Sequence, residues 1–479
     1  MNKPVSSTGA SLEHGRSIVF RNATVMTMND AHQLLKGHDV LIVGGVITAI
    51  GVNLEAPADA LEIDAHGGIL MPGMIDTHRH MWQTAMRAYG ADWTLSQYFV
   101  WFYLQHGRTF RPQDVYAGNL LSAVEAIDAG VTTSVDWSHG LQTIEHAEAA
   151  VDALEEVPAR FTLAYGNIQA APWEWSTTPE FKSFVARRFT GKGDMLKFQM
   201  AFDVVAGEAF PERAAFEVAR ELGVPVNTHA GVLGANGDLS IQLMHDNGYM
   251  TPDTILVHCS TLSDDSYQRI AAGGSSVSVS TESEQSAGQG YPSSFKLREF
   301  NIPMSLSNDT SVWWSADIFS AMRTTLGADR SRQHLEAHAK GENVMQIDLR
   351  CEEVVEWATR GGSKALGMDS TIGSIEVGKR ADVVLLHNEN SPVMFPIINP
   401  YGHVTLQAQR GDVHTVVIDG NIVKHEHKLI GIDLAHVRAT VDETVSYLES
   451  SLGSEAWESG MHPDLPPKKN IANPYKYIA

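Results

Sequence analysis

The sequence has few cysteines and no excess of positive charge. Cys259 and Cys351 are the only cysteines among 479 residues, which argues against a fold held together by a disulfide framework. The chain carries 57 acidic residues against 35 basic ones, for a formal net charge of −22. A nucleic-acid-binding protein normally carries a basic footprint, so nucleic acid is not an expected partner.

Long apolar runs are also missing. The longest apolar stretches, such as Phe99–Leu104, are far shorter than the roughly 18 residues needed to cross a bilayer. The first residues, MNKPVSSTGASLEHGRS, contain no apolar core of the kind that a secretory signal needs. We therefore expect no membrane association and a cytoplasmic location. The sequence shows neither an internal repeat nor a low-complexity segment.

Hydrophobic residues make up 43% of the chain, enough to bury a sizeable core. Short β-branched runs lie near both ends of the chain, and the Gly44-Gly45 pair between two of them predicts a hairpin. These runs are Ser17–Met28, Asp39–Gly51, Ile63–Pro72, Gly373–Leu386 and Val413–Val423. We expect the two groups to pair into one small β-sandwich.

Between these groups, apolar β-branched runs alternate with helical patterns. Such alternation predicts a parallel sheet covered by helices on both faces. Eight strands are predicted, the number that a closed (β/α)8 TIM barrel needs: Met74–Thr77, Val131–Asp136, Arg160–Tyr165, Leu196–Phe202, Val224–His229, Thr254–His258, Ser276–Ser280 and Pro303–Asp309. The expected division is a barrel over 71–372, a composite β-sandwich from 1–70 and 373–430, and a C-terminal helix and tail over 431–479.

Potential metal ligands stand at the ends of four predicted barrel strands. His78 and His80 are two residues apart at the end of the first strand, so their side chains project to the same side. His229, His258 and Asp309 end three further strands. In a barrel, the carboxyl ends of the strands meet at one mouth. Nitrogen-rich ligands with one carboxylate suit zinc or iron(II), and zinc is the safer choice.

Three motifs resemble the amidohydrolase superfamily, in particular its guanine deaminase, cytosine deaminase and triazine hydrolase branch. They are PGMIDTHRH (Pro72–His80), GNLLSAVEAIDAGVTTSVD (Gly118–Asp136) and WATRGGSKALGMDSTIGSIEVGKRADVVLL (Trp357–Leu386). The resemblance covers the chain from the N-terminal β segment to about Lys424. It implies a barrel with a β-sandwich side domain, a single divalent metal ion and a homo-oligomer, a dimer or larger.

The resemblance also implies roles for the strand-end residues. His78, His80, His229 and Asp309 would bind the metal ion, which would activate a water molecule. Asp309 would accept the proton of that water and pass it to the leaving group. His258 would contact the reacting group and stabilise the charge that develops there.

One position departs from the branch. Its deaminases usually carry a glutamate three residues after the histidine of the fifth strand, whereas His229 is followed there by Val232. This puts simple nucleobase deamination in doubt. Glu282 and Glu284, after the seventh strand, could replace the missing acid, Glu284 being the better aligned. The alternative is that both belong to a solvated acidic loop.

Substrate contacts are predicted from residues beside these strand ends. Gln83 follows His80 by three residues, and His139 follows another strand end. Trp313 and Trp314 come soon after Asp309, where an indole could stack on a flat substrate. Each also has a plain structural interpretation, as a cap or as part of the core. The aromatic segment 98–103 is a plausible oligomer interface.

Three functional hypotheses follow. The first is a metal-dependent hydrolase that cleaves a non-peptide C–N bond in a small nitrogen-containing ring, a cyclic amide or amidine, or an aryl amine. The second is hydrolytic dehalogenation or deamination of a triazine-like or pyrimidine-like ring. The third, from another class, is an inactive relative that serves as an oligomeric interaction protein. Because every expected metal position is filled, the third is disfavoured.

Overall fold

The structure is a computed structural model that describes residues 15–191, 193–232 and 237–465. Its first five strands are β1 (Ile18–Met26), β2 (Leu34–Val43), β3 (Val46–Gly51), β4 (Leu61–Asp64) and β5 (Ile69–Pro72). β1 pairs antiparallel with β2 and parallel with β4 and β5. Gly44 and Gly45, with φ of +59° and +78°, form the turn between β2 and β3, so the predicted hairpin is confirmed.

The next eight strands form the barrel. They are β6 (Met74–Arg79), β7 (Val131–Ser138), β8 (Arg160–Tyr165), β9 (Leu196–Ala201), β10 (Val226–Ala230), β11 (Thr254–His258), β12 (Ser276–Val279) and β13 (Met304–Leu306). Each strand pairs with the next in one eight-stranded parallel sheet. A parallel bridge between Arg79 and Asp309 joins its two edges. There the Asp309 carbonyl accepts from the N–H of His80 at 2.7 Å. The predicted (β/α)8 TIM barrel is therefore confirmed.

The last four strands are β14 (Val383–Leu386), β15 (Val413–Ile418), β16 (Asn421–His425) and β17 (Lys428–Leu429). Because β14 pairs antiparallel with β5, the two chain ends share one continuous nine-stranded mixed sheet. The expected composite β unit is thus confirmed. The strand predicted over Gly373–Leu386 is too long, because the part before β14 consists of turns and loops, with Gly373 and Gly378 at positive φ.

Helices cover the barrel and follow the composite sheet. The α-helices are α1 (Leu95–Tyr98), α2 (Pro112–Asp128), α3 (Ile144–Glu156), α4 (Pro172–Trp175), α5 (Pro179–Phe189), α6 (Arg213–Leu222), α7 (Gly237–Asp246), α8 (Asp264–Gly273), α9 (Thr281–Ser286), α10 (Ser294–Glu299), α11 (Ile318–Ala339), α12 (Cys351–Glu356), α13 (Gly362–Ala365), α14 (Pro400–Leu406), α15 (Leu434–Leu452) and α16 (Ser454–Gly460). Among the described helices, none is both long and apolar enough to cross a membrane.

The aromatic segment that follows α1 is not a surface patch. It forms a π-helix, Phe99–His106, in which Trp101 and Phe102 are buried in the main core. Within this helix, Leu104 is the exposed large hydrophobic residue. The segment therefore does not support the expected oligomer interface, and oligomerisation stays a prediction.

A buried ion-pair group ties the barrel to the composite sheet. The guanidinium of Arg160, on β8, donates to Asp382 at 2.6 Å and to Asp419 at 2.6 Å. Removing one partner of a buried pair leaves an uncompensated charge and is strongly destabilising. The two units are thus firmly joined, while the exact domain boundaries remain predictions.

Candidate metal centre and catalytic pocket

Four histidines and one aspartate meet at the carboxyl ends of the barrel strands. His78 lies near the end of β6 and His80 directly follows it, His229 lies in β10, His258 ends β11, and Asp309 follows β13. All are buried except His229, which is partly buried. The strand-end positions bring these side chains together as predicted, although their individual roles stay predictions.

The atoms of the proposed ligands are spaced as a metal ion requires. Nε2 of His78 is 3.3 Å from Nε2 of His229. Oδ1 of Asp309 is 3.4 Å from Nε2 of His78 and 3.4 Å from Nε2 of His80. Zinc binds nitrogen and oxygen at about 2.0–2.2 Å, so the ligand atoms of a tetrahedral site stand roughly 3.3–3.5 Å apart. The donor set and its spacing therefore fit zinc.

The second ring nitrogens of two histidines are held by oxygen atoms. Nδ1 of His80 lies 2.7 Å from the carbonyl of Trp137. Nδ1 of His229 lies 2.9 Å from Oδ1 of Asp203. Such partners fix the tautomer and aim the Nε2 lone pair at the ion. Asp203 was missed in the sequence, although it comes soon after the end of β9, a position like those of the other site residues.

Burial and the neighbouring charges set the protonation of this cluster. Burial lowers the pKa of His80 to about 4, so its ring is neutral near pH 7. Burial alone would raise the pKa of Asp309, but the facing histidines outweigh it and lower that pKa well below its usual range. A neutral imidazole and an ionised carboxylate are the forms that bind a metal ion.

Glu284 lies behind His258. Its Oε1 is 3.2 Å from Nδ1 of His258 and accepts from the backbone N–H of Ser280 at 2.8 Å. Burial raises the pKa of Glu284, partly offset by His258. Glu284 is not among the residues lining the central cavity, so its contact with the site is through His258.

The segment that carries Glu284 is not a solvated loop. It folds as α9, and Glu282 and Glu284 are both buried. Ser320 donates a hydrogen bond to Glu282, and burial raises the pKa of Glu282 to about 7. The alternative of a solvated acidic loop is therefore wrong.

The cavity above the cluster has a volume of about 320 Å³. Most of its wall is aromatic or aliphatic: Leu95, Tyr98, Phe99, Tyr103, Val204, Val205, Val232 and Trp313. Its polar residues include Asp203, Gln289, His258 and three of the proposed metal ligands, His80, His229 and Asp309, and no arginine or lysine is among the described residues that line it. Val232, in place of the branch's glutamate, faces this cavity.

The other predicted substrate contacts lie in different places. Trp313 lines the cavity. Trp314 does not line it and is about one-third exposed. Gln83 is fully buried within the 3-10 helix Met81–Met86, where its amide bonds to Tyr98 and Thr310. The structure therefore places Gln83 and Trp314 outside the cavity wall, which corrects their predicted contact with substrate.

His139 is buried beside the proposed metal ligands. Its ring centroid is 4.1 Å from that of His80. It lines a cavity of about 460 Å³ that shares Tyr103, Asp203 and Val205 with the central one. In this position His139 supports the His80 ring, and a direct substrate contact stays a prediction.

The barrel, the mixed side sheet and the histidine–aspartate cluster together define a metal-dependent hydrolase. The sequence profile of the Amidohydrolase family matches residues 69–423. The chain belongs to this family and is a hydrolase of carbon–nitrogen bonds other than peptide bonds.

Relatives of known function are similar over most of the chain. The 5'-deoxyadenosine deaminase of Methanosarcina barkeri is 27% identical over 429 residues, which cover 87% of this chain and 94% of that protein. The 5-methylthioadenosine/S-adenosylhomocysteine deaminase of Pyrococcus furiosus is 27% identical over 405 residues, covering 80% and 90%.

Solved structures share the fold. A triazine hydrolase from Arthrobacter aurescens superposes with a TM-score of 0.79 at 18% identity, covering 90% of this chain and 99% of that one. A zinc-bound adenosine deaminase from Xanthomonas campestris gives a TM-score of 0.76 at 21% identity, covering 91% and 99%. At these identities the likeness concerns the fold alone.

Proposed function

We propose that the protein is a zinc-dependent hydrolase that cleaves a C–N bond in a small, flat, nitrogen-containing compound. The observation that carries this proposal is the convergence of three imidazoles and one carboxylate at the floor of an apolar cavity, where the ligand atoms of His78–His229, His78–Asp309 and His80–Asp309 lie 3.3–3.4 Å apart. His78, His80, His229 and Asp309 would hold one ion. When bound, that ion would lower the pKa of water toward 7 and supply a nucleophile at neutral pH.

Asp309, His258 and Glu284 would have separate roles in the reaction. Oδ1 of Asp309 faces the ligand nitrogens, while its Oδ2 accepts from Gln289 at 3.3 Å. As an ionised carboxylate it can accept a proton and deliver it to the leaving nitrogen. His258 is placed to hydrogen-bond the oxygen on which negative charge develops. Glu284 orients His258 through Nδ1.

The cavity wall narrows the substrate class. Deamination of an aromatic aminopyrimidine needs one proton on the ring nitrogen and another on the departing amine, and Val232 can supply neither. A cyclic amide, or a ring that is already electrophilic, needs less acid assistance. We therefore propose poor activity on cytosine, guanine and adenosine, and better activity on an activated ring or a cyclic amide.

A substrate panel tests this proposal. Ring amides, aminopyrimidines and halogenated triazines would be incubated with the purified protein, while amine, ammonia and halide release are measured. Amine or ammonia release that stops after chelation and returns with zinc supports the proposal. Halide release without any C–N cleavage would favour the dehalogenation alternative. Unchanged turnover in protein shown by elemental analysis to be metal-free would refute the metal-dependent mechanism.

We further propose that the protein acts in the cytoplasm as a homodimer or a larger homo-oligomer. The oligomeric state rests on the family resemblance, since half of the aromatic segment offered as an interface, including Trp101 and Phe102, is buried. Light scattering at micromolar concentration tests it, and a monomer would refute it.

A further inference from the structure

Tyr98 has a position in the cavity wall that the proposed mechanism does not use. Its ring lies 6.5 Å from that of His80, nearly parallel to it, and 5.1 Å from that of Trp313. It is 3% exposed. Its hydroxyl oxygen has two polar neighbours, Gln83 and His139, and the direction of these two hydrogen bonds decides where the phenolic proton points.

In the hydrogen bond between His139 and Tyr98, the phenol oxygen is the acceptor. The indole N–H of Trp82 donates to Nδ1 of His139 at 3.0 Å. An indole nitrogen can only donate, so Nδ1 of His139 is unprotonated and the ring proton sits on Nε2. Nε2 lies 3.1 Å from Oη of Tyr98. His139 therefore donates to Tyr98, whose oxygen accepts.

In the hydrogen bond between Gln83 and Tyr98, the phenol oxygen is again the acceptor. The backbone N–H of Val312 donates to Oγ1 of Thr310 at 3.2 Å. The Thr310 hydroxyl in turn donates to Oε1 of Gln83 at 2.8 Å. The other end of that amide is then its NH₂ group, which donates to Oη of Tyr98 at 2.8 Å. Both lone pairs of the phenol oxygen are thus engaged by donors.

We propose that the hydroxyl group of Tyr98 donates a hydrogen bond to the oxygen of a substrate carbonyl in the cavity. Both neighbours of Oη donate to it, so the phenol's own proton is left to point into the space that Tyr98 lines. There it meets the substrate on the side of His80. The phenol thereby acts as a second oxyanion donor beside His258, and Tyr98 is a catalytic residue.

This inference rests on the proposed hydrolase function and names its substrate class. A hydroxyl donor recognises a carbonyl oxygen, as in a lactam, a cyclic imide or an N-acyl group. Water adds to the carbonyl carbon while the C=O electron pair moves to the oxygen bound by Tyr98. Re-formation of the C=O bond then expels the nitrogen, which takes up a proton, so that amide plus water gives carboxylic acid plus amine.

Tyr98→Phe keeps the ring and removes only the hydroxyl. For a carbonyl substrate we expect kcat to fall by roughly 10²–10³-fold, the effect of removing one oxyanion donor, with metal content unchanged and the melting temperature lowered, because Gln83 and His139 lose their acceptor. Tyr89→Phe is the control, since Tyr89 is a buried tyrosine outside the cavity wall whose hydroxyl donates to the Trp457 carbonyl, and it should change kcat little. Native-like kcat in Tyr98→Phe would overturn the proposal.

Gln83→Glu reverses one hydrogen bond at nearly constant shape. A carboxylate would accept from the Tyr98 hydroxyl and draw its proton away from the cavity. We expect this variant to lose as much kcat as Tyr98→Phe, and the double variant to lose no more than either alone. Fully additive losses would contradict the hydrogen-bond directions assigned here. If Gln83→Glu does not fold, Tyr98→Phe still decides the proposal.

A binding measurement separates this inference from the function on which it rests. The probe is the lactam 2-piperidinone, titrated into metal-free native protein and metal-free Tyr98→Phe by ligand-observed NMR. One hydrogen bond should make native binding about 5–10-fold tighter. Equal binding would overturn the role of Tyr98, even in a metal-dependent hydrolase. Tighter native binding without metal-dependent C–N cleavage of any compound in the substrate panel would refute the proposed function instead.

Discussion

Two groups of three or more neighbouring histidines stand out among the described residues, one at the barrel mouth and one on the composite sheet. At the mouth, the ring centroids of His78, His80 and His229 lie 4.7–5.5 Å apart. On the sheet, the ring of His414 lies 5.1 Å from that of His427 and 5.6 Å from that of His425. The ring spacings are thus nearly the same, while the arrangement of the nitrogens differs.

Only at the mouth do the nitrogens converge. Among the described residues, both groups in which three or more ligand atoms lie within 4.8 Å of one another are there. The mouth histidines are aimed from strand ends, and a carbonyl and a carboxylate fix two of their second nitrogens. On the sheet, His427 is exposed and comes from a turn. Close packing of histidines is therefore not enough for a metal site, which also needs fixed ring orientations.

The largest expected effect comes from the mouth histidines. His229→Ala should lose the bound metal ion, and turnover should fall by on the order of 10³-fold or more, because the ion supplies several kcal/mol of transition-state stabilisation. His78→Ala and His80→Ala should behave alike. The double variant His414→Ala/His427→Ala is the control and should keep both metal and turnover. Elemental analysis with a turnover assay checks this, and a fully active, metal-loaded His229→Ala would break the comparison.

A smaller effect is expected behind His258. Glu284→Gln removes the carboxylate that faces Nδ1 of His258 and should lower turnover by on the order of 10²-fold, with metal content unchanged. The buried neighbour Glu282 is the control: Glu282→Gln should have much less effect because that side chain bonds to Ser320. Steady-state kinetics at neutral pH decide between them. Equal losses in both variants would mean that Glu284 only stabilises the fold.

Asp203, which contacts Nδ1 of His229, tests what fixes the orientation of the His229 ring. Asp203→Asn should weaken zinc binding by roughly 10–100-fold, the usual cost of losing an outer partner of a metal-binding histidine. Competition with a zinc-binding dye would measure this. Zinc affinity like that of the native protein would show that the barrel strand alone orients His229.

The smallest expected effect is a loss of fold stability in acid. Burial alone would raise the pKa of Glu125, but its ion pairs with Arg79, Arg87 and Arg410 outweigh burial and lower it to about 2. Glu125 therefore stabilises the fold fully above its unfolded pKa of about 4.5, and this stabilisation is lost as the pH falls toward 2. Acid unfolding followed by circular dichroism should show this loss. In Glu125→Gln the stability should depend less on pH over that range, and an unchanged dependence would refute the assignment.

Much of this architecture could be predicted from the sequence. Continuous apolar β-branched runs located all eight barrel strands, and the Gly44-Gly45 pair located the turn between β2 and β3. The ligand positions followed from strand ends, since a closed barrel forces these to one mouth. Gln83 and Trp314 were misplaced because the sequence does not show how a short 3-10 helix or a loop turns its side chains.

Other features depend on contacts between distant segments. Asp203 bonds to His229, and Tyr98 bonds to His139, across 26 and 41 positions of the chain. No local pattern encodes such pairs. The burial of Glu284 could not be predicted either. An acidic segment is expected to be solvated unless the packing of α9 against α11 is known.

The split sheet has a consequence for synthesis on the ribosome. β5 is made early, but its antiparallel partner β14 begins only at Val383. The edge of β5 therefore stays open while the whole barrel is translated, and an open edge invites pairing with other chains. A chain that stalls before Val383 would carry the complete metal centre beside this open edge. Premature termination there should therefore yield aggregates, although every proposed metal ligand has already been made.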